Sequence, residues 1–365
     1  MNSTAISIID LNAIAHNLQL IRTLMPRQKI LAMIKSNAYG HGLIHVAKAI
    51  QSADALGVAT IAEALQLRNA GVDNDIVVMR GFVSREELSV FLNDDRLISC
   101  VHDAQQLALL KTLSDINNKK LRIWMKIDTG MHRLGFACDA FNDAYQQLNQ
   151  LPCVEKPFVI CSHLADADNA DSTFTNQQIA AFEKTTSFVS NEKSLLNSAG
   201  ILAYPQAHYD WIRPGLLLYG VSPFDHPGKH NALMKNFIPA MTFESKLIAI
   251  KNVKAGEKIG YSCTFTAKNA MKIGIVGMGY GDSYPRQAKN GTPVLIRGQR
   301  CPIVGRVSMD MITVDVSHVK AVAVDDTVTL WGRDLLVADI AQCVNTVSHE
   351  LLCHLTGRVQ RKYLS

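Results

Sequence analysis

Between Lys29 and about Gly220, short apolar runs of strand length alternate eight times with helix-length spacers. The runs are Ile30–Ile34, Ala55–Ala59, Asp75–Met79, Leu97–Val101, Leu121–Ile127, Phe158–Ser162, Ser194–Asn197 and Leu216–Tyr219. Among the spacers, Leu43–Ser52, Ile61–Asn69, Ala104–Ser114 and Asn176–Phe188 read as helices. Length separates the two, because the runs are too short for helices and the spacers too long for strands. Eight strands separated by helices predict an α/β fold, a parallel (β/α)8 TIM barrel.

Past about residue 232 the texture changes. Val, Ile and Thr runs at Met241–Asn252, Met271–Met278, Thr292–Ile296, Met311–Val316 and Thr327–Trp331 are separated by Gly, Asn, Asp and Pro turns. That is the signature of a mainly antiparallel β C-terminal domain. The chain therefore divides into a barrel over 1–231 and a β-domain over 232–365, with Ser222–His230 as the link. The initial Ala5–Ile9 run precedes the first barrel helix and is placed to pair with the C-terminal sheet.

An apolar fraction of 48% with 19% charged residues supports a large core. The formal charge of +5 comes without any Lys/Arg run of the kind that grips nucleic acid. The eight cysteines are scattered without C-x-x-C or His-Cys ligand spacing, so they read as reduced core thiols and predict no metal site. Met1–Asp10 lacks the basic start, apolar core and cleavage site of a secretory leader, and no apolar stretch reaches bilayer length. A cytoplasmic protein without membrane or nucleic-acid partners is expected.

In barrels of this kind chemistry sits at the C-terminal strand ends. The first run there gives Lys35-Ser36-Asn37-Ala38-Tyr39-Gly40, and the fifth Lys126-Ile127-Asp128-Thr129-Gly130 followed by Arg133. The sixth ends at His163, the seventh at Asn197-Ser198-Ala199-Gly200, and Arg213-Pro214-Gly215 precedes the eighth. A strand-end lysine is ordinarily a snorkelling cation. Lys35, however, follows five residues of buried-strand character, and a semi-buried lysine loses its proton readily and then attacks carbonyls. The Asn-Ala-Tyr-Gly-His-Gly that follows predicts a tight turn into a helix, whose amides suit a phosphate. The other histidines (16, 41, 45, 102 and those in 226–230) show no ligand geometry.

The segment Ala32–Gly42 resembles the cofactor-lysine motif of the alanine racemases. The likeness runs through Asp128-Thr129-Gly130-Met131 with Arg133-Leu134-Gly135, Asn197-Ser198-Ala199, Arg213-Pro214-Gly215 and Gly260-Tyr261-Ser262. It continues in Gly279-Tyr280-Gly281-Asp282, Tyr284-Pro285-Arg286 and Gly305–Met311, so it covers nearly the whole chain in shared order. It implies a pyridoxal 5'-phosphate enzyme interconverting L- and D-alanine, D-alanine being a peptidoglycan precursor. It further implies a homodimer with active sites at the subunit interface.

Racemisation removes a proton from one face of a carbon and returns one to the other, so two bases are expected. By resemblance these are Lys35 and, from the other subunit, Tyr261. Phenols titrate near 10, so cations such as His163 and Arg213 would have to favour the phenolate. Arg213 would bond the pyridine nitrogen, while Tyr39, Ser198, Gly215 and Leu216 match phosphate-binding positions. Arg133 would hold the substrate carboxylate, with Met309 and Asp310 completing the site from the other subunit. Lys126 beside Arg133 poses a like-charge problem that relatives solve by carbamylation. Asp168, Arg286 and Arg306 match entrance residues. One departure stands out: some relatives place a phosphate-binding tyrosine just before the final Arg-Val, where this chain has Gly357-Arg358-Val359, and Tyr363 is out of register.

Other readings are a broader racemase or a serine racemase, a decarboxylase of the same architecture, and a carrier that binds the cofactor without turnover. Carriers of that kind resemble the barrel alone, and the blocks at Lys35, Arg133, Arg213 and Tyr261 favour the racemase over the decarboxylase.

Overall fold

The computed structural model describes residues 4–113, 120–169, 172–224 and 231–365. Most of the expected link Ser222–His230, its histidines and the Ser114 end of one expected helix lie outside them. Eight parallel strands close into a barrel: Lys29–Met33, Ala55–Val58, Ile76–Val78, Leu97–Val101, Arg122–Asp128, Val159–Cys161, Lys193–Ser194 and Trp211–Ile212. The last pairs back onto the first, Trp211 opposite Lys29 and Ile212 opposite Ile30. Period-two alternation sends Leu31, Met33, Ala55, Val77, Ile98, Cys100, Trp124, Val159 and Cys161 into the barrel interior, leaving the other faces to the surrounding helices. Asp10, Thr60, Ser84, Asp103 and Ser172 each cap one of those helices through a side-chain oxygen, which fixes where the chain turns back along the barrel.

The eighth strand is not where the hydrophobic pattern puts it. Leu216–Tyr219 is a 3-10 turn, and the strand is the two-residue Trp211–Ile212 before it. The run is apolar because Leu217, Leu218 and Tyr219 are packed into the core; Asn17 Nδ2 donates to the Leu218 carbonyl at 3.0 Å. A four-residue apolar run looks the same in either role. The correction moves Arg213-Pro214-Gly215 from before the last strand to its C-terminal end, the face where barrels do chemistry.

The C-terminal sheet is built on Met241–Val253, thirteen residues long. Its first half pairs antiparallel with Ile6–Asp10 and with Thr327–Trp331, and its second half with Met271–Val276, across an irregularity at Leu247/Ala249. The initial strand thus belongs to this sheet, as its position ahead of the first helix suggested. Gln360–Leu364 lies parallel to it at the edge. Helices Val337–Val344 and Ser348–Cys353 interrupt the β pattern, so the domain is not all strand. All eight cysteines are free, yet Cys263 is exposed rather than a core thiol, because it lies on the projecting turn at Tyr261–Cys263. No helix among the described residues is long and apolar enough to cross a membrane.

Candidate active site

The tight turn expected after the first barrel strand leads into helix Leu43–Ala49, and it is left-handed. Ser36, Asn37, Ala38 and Tyr39 have φ of 55°, 54°, 53° and 51°, so four successive non-glycine residues wind left-handed before Gly40 at φ 81°. For L-residues this costs roughly 1–2 kcal/mol each, and it persists only where surrounding contacts over-determine it. Those contacts are visible. Glu63 accepts the Ser36 N–H at 2.6 Å with one carboxylate oxygen, while the other accepts the Thr60 N–H at 3.2 Å in the capping box of the next helix. Asn37 Oδ1 accepts the Leu43 N–H at 2.8 Å and starts helix Leu43–Ala49. The turn leaves Lys35 half-buried at the barrel mouth and folds Tyr39 back over the barrel end.

Lys35 is held well below the ordinary lysine pKa, first by burial and then by Arg133 and Lys126, with Cys353 and Glu63 pulling the other way. A larger share of it is then neutral amine, the form that attacks a carbonyl. Across the mouth Arg213 is buried, its guanidinium donating to Ser194 Oγ at 2.6 Å, the Ser162 carbonyl at 2.5 Å and the Leu195 carbonyl at 3.0 Å. Its NH2 group also lies 3.2 Å from His163 Nδ1. Guanidinium has no acceptor, so Nδ1 accepts and the imidazole proton sits on Nε2. Burial lowers the His163 pKa first, and Arg213, Lys126, Arg133 and Lys35 lower it further, so the ring is neutral and His163 is not the cation expected to favour a phenolate. Arg133 is exposed in the loop after the fifth strand, which Asp128 Oδ1 fixes by accepting the Gly130 and His132 amides at 2.9 and 3.1 Å. Lys126 is buried in that strand and has no hydrogen-bond or ion-pair partner among the described residues.

On the remaining side, Ser198 Oγ accepts the Gly215 amide at 2.8 Å and the Leu217 amide at 3.4 Å. A Cβ on Gly215 would come within 2.6 Å of the Tyr39 hydroxyl, so glycine is needed for that close approach. Leu216 opens the 3-10 turn, where first-turn amides lack an intrahelical acceptor. Tyr39, Ser198, Gly215 and Leu216 therefore form one cradle of hydroxyls and backbone amides. A lysine with a lowered pKa, a fixed guanidinium and a cluster of hydroxyls and backbone amides border one mouth.

The first part of the chain, residues 9–223, matches the family model for the alanine racemase N-terminal domain, and residues 240–363 match that for the alanine racemase C-terminal domain. The chain belongs to the alanine racemase family. It is 47% identical over 358 residues to the alanine racemase of Coxiella burnetii (strain CbuG_Q212), covering 98% of each chain. It superposes with a TM-score of 0.94 on the biosynthetic alanine racemase of Pseudomonas aeruginosa at 37% identity, covering both chains completely. A structure of the Bartonella henselae alanine racemase with covalently bound pyridoxal phosphate matches at a TM-score of 0.89 and 29% identity, over 99% of this chain and 100% of that one.

The residues of the C-terminal domain expected at the site are exposed within one chain. Tyr261 is 68% exposed and Met309 53% exposed, and the charges acting most on Lys35 come from Arg133, Cys353, Lys126 and Glu63. Asp310 is exposed and pairs with Arg358 at 2.9 Å, and Arg358 reaches Asp282 at 3.1 Å. Arg286 and Arg306 line one polar cavity of about 400 Å³ with Thr264, Lys289 and Asn290, while Asp168 is exposed in the loop after the sixth strand. A Cβ on Gly357 would meet nothing within 4 Å, so the position where some relatives carry tyrosine is open space. Tyr363 instead stacks on His45 with centroids 3.7 Å apart.

Three supporting residues escape a strand-end reading. Glu63 is legible as the acidic end of Thr60-Ile61-Ala62-Glu63, a capping box, but its second bond to Ser36 is not local in sequence. Ser194 and Ser162 anchor Arg213, and only the closed barrel brings them to it.

Proposed function

We propose that this chain interconverts L- and D-alanine as a homodimer in the cytoplasm, with pyridoxal 5'-phosphate held at the Lys35 end of the barrel, supplying D-alanine for peptidoglycan. The observation that carries this reading is a partly desolvated Lys35 at the same barrel mouth as the buried Arg213, which holds His163, and a set of hydroxyls and backbone amides that suits an anion. The donor set suits the cofactor. The Tyr39 and Ser198 hydroxyls with the Gly215 and Leu216 amides would take its phosphate, and Arg213 its ring nitrogen. When bound, the cofactor supplies an electron sink for the bond to the substrate's α-hydrogen.

The protein's own part is positioning and proton transfer. Arg133 holds the substrate carboxylate with a planar fork of donors. Lys35 Nζ moves the proton at one face of the α-carbon, and Tyr261 of a second copy moves it at the other. Arg213 keeps its own proton and so leaves the ring nitrogen unprotonated, which disfavours transamination. The division into a barrel over 1–231 and a β-domain over 232–365 serves this arrangement, because the β-domain of each copy brings Tyr261, Met309 and Asp310 to its partner's barrel. Asp168, Arg286 and Arg306 line the entrance.

Lys126, buried beside Arg133 with no side-chain partner among the described residues, fits a carbamate: its ammonium loses one proton, the free amine adds CO2 at Nζ and loses a second, and a cation becomes an anion beside Arg133. Native mass spectrometry at neutral pH is expected to show one CO2 per chain that Lys126→Ala lacks. Electron density for a bare amine would overturn it.

Incubating the cofactor-loaded enzyme with L-alanine and following both enantiomers by chiral chromatography tests the main reading. Approach to equal amounts supports it, and absence of D-alanine sinks it.

A further inference from the structure

The strained turn after Lys35 is closed from outside the barrel by the last residues of the chain. Gln360–Leu364 alternates outward and inward, so Arg361 and Tyr363 face the barrel while Gln360, Lys362 and Leu364 face solvent. Arg361 Nε donates to the Gly40 carbonyl at 3.0 Å, and its NH2 group to the Leu355 carbonyl at 3.4 Å. Gly40 also lies against the Leu352 carbonyl so closely that a Cβ there would collide with it. Tyr363 places its hydroxyl over Gly42, where again no Cβ fits, and lays its ring on His45 at an interplanar angle of 11°.

From the inner side His41 meets the same turn. Its Nδ1 lies 3.1 Å from the Ala38 carbonyl and 2.8 Å from the Tyr39 carbonyl, so Nδ1 carries the proton and donates to the left-handed residues themselves. Its ring stacks on Tyr219 with centroids 4.4 Å apart, and Nε2 is buried without a partner. Burial drives the imidazole down to about 4 against the pull of those carbonyls, so it is neutral across the working range.

We propose that Arg361 and Tyr363 are positioning residues for the cofactor lysine. The C-terminal strand acts as a clamp that presses the Ser36–Gly42 turn, with His41 inside it, against Tyr219 and so sets where Lys35 and Tyr39 stand. The reason is energetic. Four left-handed residues would relax to the right-handed form if their carbonyls and glycines were released, and that relaxation would swing Lys35 and the Tyr39 hydroxyl out of register with Arg213 and Ser198. Neither residue touches the reacting atoms. The proposal rests on the assignment of Lys35 as the cofactor lysine only for its effect on the cofactor, not for its effect on the turn.

The test uses full-length Arg361→Met, which keeps the apolar stem but loses the donors, Arg361→Lys, which keeps a donor and the charge, and Tyr363→Leu. Two readouts are taken on cofactor-free chains: amide exchange of Gly40 and Gly42, and titration with pyridoxal 5'-phosphate followed by absorbance of the lysine-bound chromophore. Loss of a charge-assisted bond predicts exchange about tenfold faster and cofactor affinity about tenfold weaker in Arg361→Met, with Tyr363→Leu in the same direction and Arg361→Lys in between. In the loaded enzyme KM for alanine should move less than kcat. Parental exchange and affinity in both Arg361→Met and Tyr363→Leu would overturn the clamp, and so would a lowered melting temperature with neither readout changed. If the parent forms no chromophore that Lys35→Ala loses, the assignment of Lys35 fails, and the exchange of Gly40 and Gly42 still decides for or against the clamp.

Discussion

Lys35→Ala is expected to lower alanine racemisation by at least ~10⁴-fold and to abolish the absorbance of lysine-bound cofactor, because one substitution removes both an attachment point and a base. The first barrel strand delivers this residue to the mouth with Ile34 fully buried behind it, and the left-handed turn keeps it from folding away into solvent. The pH dependence follows from its environment. Burial, Arg133 and Lys126 lower its pKa from 10.5, so neutral amine forms at lower pH than for an exposed lysine. In the cofactor-free chain, the unfolded state therefore binds more protons than the folded state between that lowered pKa and 10.5. Stability should rise with pH through that window, and Lys35→Ala should flatten the rise. Chiral chromatography, absorbance spectra and denaturant titrations at several pH values check the three statements. A mutant that still racemises alanine would remove Lys35 from the mechanism.

How much of this could be read from the sequence differs residue by residue. Six of the eight barrel strands coincide with apolar runs because a strand covered on both faces is largely apolar, and the seventh, Lys193–Ser194, meets its run Ser194–Asn197 only at Ser194. The eighth was misplaced because Trp211–Ile212 is too short to register as a run, whereas Leu216–Tyr219 is apolar for packing reasons of its own. Of the site residues, Lys35, Lys126, His163 and Ser198 are legible from their places at the ends of apolar runs, whereas Arg213 reads as preceding the last strand and only the observed Trp211–Ile212 strand puts it at a C-terminal end. Their couplings are not legible. That Arg213 fixes the His163 tautomer, or that a capping glutamate also pins Ser36, depends on strands distant in sequence closing into a barrel. The left-handed run was hidden for another reason. Of serine, asparagine, alanine and tyrosine only asparagine favours positive φ, and then as a single residue, so the run of four is imposed by contacts from Glu63, His41 and Arg361.

Tyr261 presents the opposite case, plain in its motif and without a role inside one chain. Gly260, Ser262 and Cys263 all have positive φ, 75°, 60° and 54°, and Arg306 reaches Ser262 Oγ at 3.4 Å. This strained turn spends conformational energy to push an aromatic ring into solvent, which gains nothing until a second surface covers it. Tyr261→Phe keeps the ring and loses only the hydroxyl. Racemisation is expected to fall by roughly 10²–10⁴-fold while cofactor attachment and the dimer, followed by size exclusion, stay as in the parent. With one base left, exchange of the α-hydrogen with deuterated solvent should persist from one enantiomer and disappear from the other.

Mixing the two defective chains decides between a base acting within the chain and one acting across the dimer. In a hybrid of Lys35→Ala with Tyr261→Phe, a base supplied across the interface leaves one site with both Lys35 and Tyr261 intact and the other with neither. Random exchange of equal amounts should then restore about a quarter of the parental activity, since half the dimers are hybrids and each has one whole site. A tyrosine acting on its own chain's lysine yields no whole site in any combination. Activity that stays at the level of the separate mutants after confirmed subunit exchange would therefore rule out a shared site, and with it the role assigned to the C-terminal domain.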